Sequence, residues 1–249
     1  MNTVPEQLDT SASRLDEHRA PWGLLDILGA VALGAVFAVA LAAVVALAIR
    51  LLGAAPSNAA QVTLLTAAGY GGIFLGVWLF IVVRRRLPWS AVGFRQVGWG
   101  AVPVTLLALV VLTVANSVVL YLMSLIIGPI ENPQQESLVP DGVLTLRGYL
   151  WLLPALSVVA PLVEELVFRG LLYRYLRGRM SMWPAVLLSA ALFAVAHVYR
   201  VIMLPLFIAG IALALLAERY KSILPTILLH ALFNGVQITL LYLASSFGS

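Results

Sequence analysis

Leu162-Val163-Glu164-Glu165-Leu166-Val167-Phe168-Arg169-Gly170 is the stretch on which the reading of this chain turns. It sets two carboxylates and a guanidinium inside a segment otherwise apolar enough to cross a bilayer. An ionisable side chain at membrane depth is expensive, so it marks a functional site whose partners must be found. On a helix Glu165 and Arg169 are i and i+4, neighbours on one face that can neutralise each other. Glu164 points about 100° away by the 3.6-residue period and has no local partner. The question is what Glu164 faces.

Of the 249 residues, 62% are hydrophobic and only 10% charged, too little polar surface to cover a soluble globule of that size. The chain therefore reads as an integral membrane protein with an all-α fold, a polytopic bundle of transmembrane helices. Residues 1–22 are polar and mixed in charge, with no apolar run behind a basic start, which reads as a cytoplasmic tail rather than a signal peptide. No long linker interrupts the rest, so residues 23–249 are expected to form a single transmembrane domain. The chain has no cysteine, which excludes disulfides, Cys-ligated zinc and a thiol nucleophile together. The net charge of +4 comes from arginines in short juxtamembrane clusters. That pattern suits topology control and a lipid bilayer with anionic headgroups, and no nucleic acid is called for. Fourteen of the fifteen basic residues are arginine, which points to a G+C-rich genome and so to a bacterial plasma membrane.

A span needs about 20 residues at 1.5 Å rise. Runs of that kind cover 24–50, 61–83, 101–127, 149–173, 183–202, 203–218 and 222–246. The sixth is short and merges with the fifth around Arg200 and Pro205, so seven spans are expected, with six or eight as neighbouring counts. With the N-terminus inside, the cytoplasmic segments hold Arg14, Arg19, Arg84, Arg85, Arg86, Arg95, Arg174, Arg177, Arg179, Arg219 and Lys221. The outer segments hold Arg50, Arg147 and Arg200 alone, and the acidic loop 128–147 falls outside. This is a clear positive-inside bias. Gly71, Gly72 and Gly76 put small residues at close spacing on the second span, favouring close helix approach in lipid. The stretch from Pro88-Trp89 to Trp99-Gly100 is expected at the interface.

Polar residues recur on the later spans. The fifth carries Phe193 and His197 on one face, with Ser189 a turn back; the seventh carries His230, Asn234 and Gln237 in one stripe. Such stripes should face the bundle interior. Glu164 and His197 lie symmetrically about residues 180 and 181, so a hairpin turning there brings them level, roughly 12 Å inside the cytoplasmic boundary, and His230 enters to a similar depth. A desolvated carboxylate can take a proton from water and return it to a leaving amine. Imidazole N–H groups and the Asn234 amide would donate to the oxyanion. The same set could instead hold zinc, with Glu164, His197 and His230 as ligands and a water in the open position; Glu164 activating water directly is preferred. Glu165 and Arg169 are expected to support and orient Glu164. Phe193 is expected as cavity wall, and Ser189, Tyr199 and Gln237 as packing or lining.

Glu164-Glu165-x-x-x-Arg169, Phe193-x-x-x-His197 and His230-x-x-x-Asn234, in that order on successive spans, resemble the three motifs of the CAAX protease and bacteriocin-processing family, also called Abi, which includes the type II CAAX prenyl endopeptidases. The resemblance covers about 149–246. It implies a bundle of about eight membrane helices, Glu164 as catalytic carboxylate supported by Glu165 and Arg169, and His197, His230 and Asn234 completing a water- or metal-holding site. Members are described both as metalloproteases and as glutamate proteases. Other intramembrane protease motifs, G-x-S-G, H-E-x-x-H and G-x-G-D, are absent from the sequence.

The expected activity is thus an intramembrane endopeptidase, glutamate- or metal-dependent, acting on membrane-associated peptide or protein substrates through a cytoplasm-facing cavity. A transporter or proton relay built on the same Glu/His set is the alternative. A non-catalytic membrane adaptor is a third reading. The sequence leaves the oligomeric state open.

Overall fold

The computed structural model describes residues 20–130, 143–198 and 200–247. Most of the polar tail, residues 131–142 of the loop between the third and fourth spans, and Tyr199 lie outside the described residues. The described chain is helical with turns and no strand. Its helices are α1 Leu24–Leu51, α2 Asn58–Val83, α3 Ala101–Ile127, α4 Leu146–Arg177, α5 Met182–Ala196, α6 Met203–Tyr220 and α7 Leu224–Phe247. Six of the seven are long and apolar enough to cross a membrane; α5, with 15 residues, is shorter. The protein is an integral membrane protein of the polytopic helical kind expected.

The fifth span differs from its expected range of 183–202. α5 stops at Ala196, with His197 at its C-terminal cap. Val198 then takes a left-handed φ of 64°, and a short 3-10 turn over Arg200–Ile202 leads into α6. A helix of 15 residues rises about 22 Å, short of the roughly 30 Å core. Irregular backbone at that depth is tolerated where it lines a cavity, and Ile202, Pro205 and Leu206 do line one.

α4 is the continuous central helix, yet it is not uniform. Pro154 and Pro161 each remove a backbone donor inside it, and the chain widens into i→i+5 turns over Ala155–Val159 and Leu166–Tyr173. Such wide turns rotate the following side chains relative to a regular helix and recur at functional sites. They flank the turn carrying Glu164 and Glu165.

Small residues set how closely the helices meet. A Cβ added at Gly72 would stand 2.1 Å from the Ala38 nitrogen, and one at Gly76 2.3 Å from the Gly34 nitrogen, so α1 and α2 pack backbone to backbone. Gly71, in contrast, faces nothing nearer than a Leu41 methyl at 3.9 Å. Gly210 of α6 likewise lies against Ala190 of α5.

At the arginine-rich end, buried Asp26 caps the first turn of α1 and accepts from Arg85 at 2.7 Å. The loop 88–95 folds over this end. Trp89 stacks on Phe74 and meets Phe94 edge-on, Gly93 accepts from the Ile223 nitrogen, and Arg95 accepts from the Ser222 hydroxyl. Val92 is fully buried, and its carbonyl sits so near Gly170 that no side chain fits there.

Candidate functional site

Glu164 meets partners from three other helices. The Tyr70 hydroxyl of α2 donates to its Oε1. Its Oε2 has no hydrogen-bond partner among the described residues and stands 3.7 Å from His197 Nε2 and 3.7 Å from His230 Nε2. Those separations are too long for hydrogen bonds. They leave room for a small species between Glu164 Oε2 and each imidazole.

The far side of each imidazole fixes its proton. His197 Nδ1 lies 2.8 Å from the Phe193 carbonyl, which can only accept, so Nδ1 carries the hydrogen. His230 Nδ1 lies 2.8 Å from Glu165 Oε1, and donates likewise. In the neutral rings both Nε2 atoms then present lone pairs toward Glu164. An acceptor facing an acceptor across each of these gaps calls for a donor or a cation between them. This alters the role drawn from sequence: a neutral His197 or His230 cannot donate to an oxyanion through Nε2, and each must first take up a proton.

Behind this triangle lies a buried support. Glu165 and Arg169 are both 0% exposed and pair at 2.7 Å across one helical turn. Arg169 also donates to the Gly210 carbonyl of α6 at 3.0 Å and lies over the Phe193 ring, 4.5 Å from its centre. Phe193 touches Phe168, His197 and His230 edge-on. An ion pair this deep is stable only when its remaining valences are filled, and His230, Gly210 and Phe193 do much of that filling. Breaking it would release the orientation of His230.

Asn234 lines the same cavity, but its amide donates to the Leu156 carbonyl at 3.0 Å. One amide hydrogen is thereby committed to tying α7 to the wide turn of α4. Gln237 also lines the cavity, and Ser189 is buried under the site.

The cavity measures about 360 Å³. It runs from Glu164 and His230 past Leu156, Gln237 and Leu241 toward Ile130, at the end of the bundle where α3 stops and α4 begins. That is the end opposite the arginine cluster. The arginine-rich end is filled by packing. Leu166 and Leu171 are fully buried against Val92 and Ile223, and the Trp22 indole donates to the Leu171 carbonyl at 3.2 Å.

Two polar lining residues escaped the sequence reading, Tyr70 and Asn116, on α2 and α3. A tyrosine mid-span was a weak signal, because tyrosine is also common at membrane interfaces. Asn116, buried within an apolar span, was the stronger one.

As a donor set, two imidazoles with engaged Nδ1 atoms and one carboxylate suit a divalent ion. As placed, among the described residues, no group of three or more His, Cys, Asp or Glu side chains is arranged to hold one.

Comparison with curated proteins and with solved structures gives no match. Residues 146–236, which carry all seven motif residues from Glu164 to Asn234, match the family model described as type II CAAX prenyl endopeptidase Rce1-like.

Proposed function

We propose that this protein is an intramembrane endopeptidase in which Glu164 activates a water for attack on a peptide bond. The observation that carries this reading is the approach of two imidazole Nε2 atoms, each 3.7 Å away, to Glu164 Oε2 on the wall of one cavity. A water at that point gives one hydrogen to Glu164 and the other to an imidazole, and directs an oxygen lone pair at the substrate carbonyl. As its O–H bond breaks and the C–O bond forms, Glu164 takes the proton. An imidazole that has become protonated donates to the oxyanion. Glu164 then passes its proton to the amide nitrogen, the C–N bond breaks, and an amine and a carboxylic acid leave. Tyr70 holds Glu164 Oε1, so that Oε2 remains turned to the water.

The substrate is a membrane-associated peptide or protein segment, suited to the apolar walls at Leu120, Leu156 and Phe233. The tail before α1 is assigned to the cytoplasm: Arg84, Arg85, Arg86, Arg95, Arg174, Arg177, Arg179, Arg219 and Lys221 gather at that end, against Arg50, Arg147 and Arg200 on the other side. A bacterial plasma membrane fits the arginine usage. Zinc, if used, would take Glu164, His197 and His230 as ligands and supply a Lewis acid to the same water.

The test is cleavage of a membrane-peptide library by purified protein. Glu164→Gln is expected to insert and purify normally while losing about 10²–10⁴-fold in turnover. Retained turnover overturns the reading, and proton flux in liposomes without cleavage replaces it by a relay. Metal analysis and chelator sensitivity of the same assay separate the water-only route from the zinc route.

A further inference from the structure

A second cavity, about 340 Å³, lies at the arginine-rich end between the loop 88–95 and the ends of α4 and α6. Arg95, Arg174, Arg177 and Lys221 line it, with fully buried Arg169 beneath. The one carboxylate on its wall among the described residues is Glu218. Glu218 is already committed, at 2.7 Å to Lys221 Nζ and 3.2 Å to Arg177 Nε, while accepting from the Tyr173 hydroxyl at 2.9 Å. Arg169 is committed to Glu165 through one nitrogen and to Gly210 through another, and its Nε has no partner.

Arg95 and Arg174 remain. Their hydrogen bonds go only to backbone carbonyls: Arg95 to Ser90 at 2.9 Å, and Arg174 to Lys221 at 2.7 Å and Ala91 at 3.4 Å. Two guanidinium groups thus share one wall with no carboxylate between them among the described residues. Like charges held side by side call for an anion, and guanidinium matches the paired oxygens of phosphate. The cavity lies between helix ends, and its wall includes half-buried Ala91 with the buried Trp22 and Ile223 behind it.

The geometry points to a binding site for a phosphate group in this cavity, presented by the headgroup of an anionic lipid. Basic pockets between helices at the positive end of a membrane protein take such headgroups. The site stands whether or not the protein cleaves peptides. Its floor is nonetheless the arginine that holds Glu165, which in turn holds His230, so an occupied site would steady the support of Glu164.

The experiment uses the full chain in nanodiscs of phosphatidylcholine with phosphatidylglycerol, with native mass spectrometry to count retained phosphatidylglycerol. Wild type is expected to keep it, and Arg95→Gln to hold it about fivefold more weakly, as loss of one interfacial charge implies. Arg174→Gln is expected to do the same, and Arg86→Gln and Arg219→Gln, which remove equal charge outside the cavity, to do nothing. Equal loss in all four variants, or no loss in the first two, overturns the site. A parallel arm titrates inorganic phosphate into phosphatidylcholine-only discs and follows the melting temperature. Stabilisation there that Arg95→Gln abolishes supports the phosphate site with free phosphate as its source.

Discussion

α1 and α4 are both long, apolar and membrane-crossing, yet they meet their surroundings in opposite ways. Of the most apolar stretch of α1 only 6% is buried in the protein, against 44% of that of α4. α3 resembles α1, at 11%, and α6 resembles α4, at 44%. The outer helices spend their apolar side chains on lipid, where any aliphatic residue serves. The inner ones contact protein, so their polar residues can find partners and their small residues decide how near a neighbour comes. Tyr70 and Asn116 qualify this division, since helices outside the Rce1-like segment reach into the cavity to line it.

The sharpest way to break the comparison is at the buried pair. Arg169→Met leaves the Glu165 carboxylate buried without its guanidinium and is expected to cost about 3–5 kcal/mol, read as a lower melting temperature in detergent. Glu165→Gln added to it should recover part of that loss, because the stranded charge is gone. A next test asks whether the first half of the chain does more than pack. Tyr70→Phe removes a hydrogen bond to a charged group and is expected to lower kcat/KM by about ten- to a hundredfold, matching roughly 1.5–3 kcal/mol, with the melting temperature nearly unchanged. Wild-type kinetics in that variant would return α2 to a packing role. Gly72→Val forces a branched side chain into the Ala38 backbone and is expected to cost about 1–3 kcal/mol of stability while leaving the chemistry of the assembled site alone. Val39→Ala, on the lipid-facing side of α1 at 71% exposure, should shift stability by less than about 0.5 kcal/mol. A large effect there would mean that α1 is an interface with another chain.

The all-helical class and most span positions were legible because membrane depth filters composition so strongly: a run of about 20 apolar residues has few other readings. The pairing of Glu165 with Arg169 was legible too, because i and i+4 are neighbours on any helix. The end of the fifth span was not. Residues 183–202 form one apolar run, and nothing local in it states that Ala196 will be the last helical residue before Val198 turns left-handed. Tyr70 was missed because its partner Glu164 lies 94 residues away. The course of the cavity was not legible either, since basic residues bear on which end faces the cytoplasm but not on which end the loop 88–95 will cover.

By itself the sequence determined that this chain lives in a membrane as helices, and that Glu164, Glu165, Arg169, Phe193, His197, His230 and Asn234 are the residues needing explanation. Both follow from the high cost of an unpartnered polar group in hydrocarbon, a cost that each such residue declares locally. Only the tertiary structure decided which lone pair faces which. The tautomers of two histidines depend on the Phe193 carbonyl and the Glu165 carboxylate behind them, and the position of Glu164 depends on a tyrosine from another helix. Hydrogen bonds act over about 3 Å, so their pattern is set by how helices pack rather than by the order in which residues follow one another.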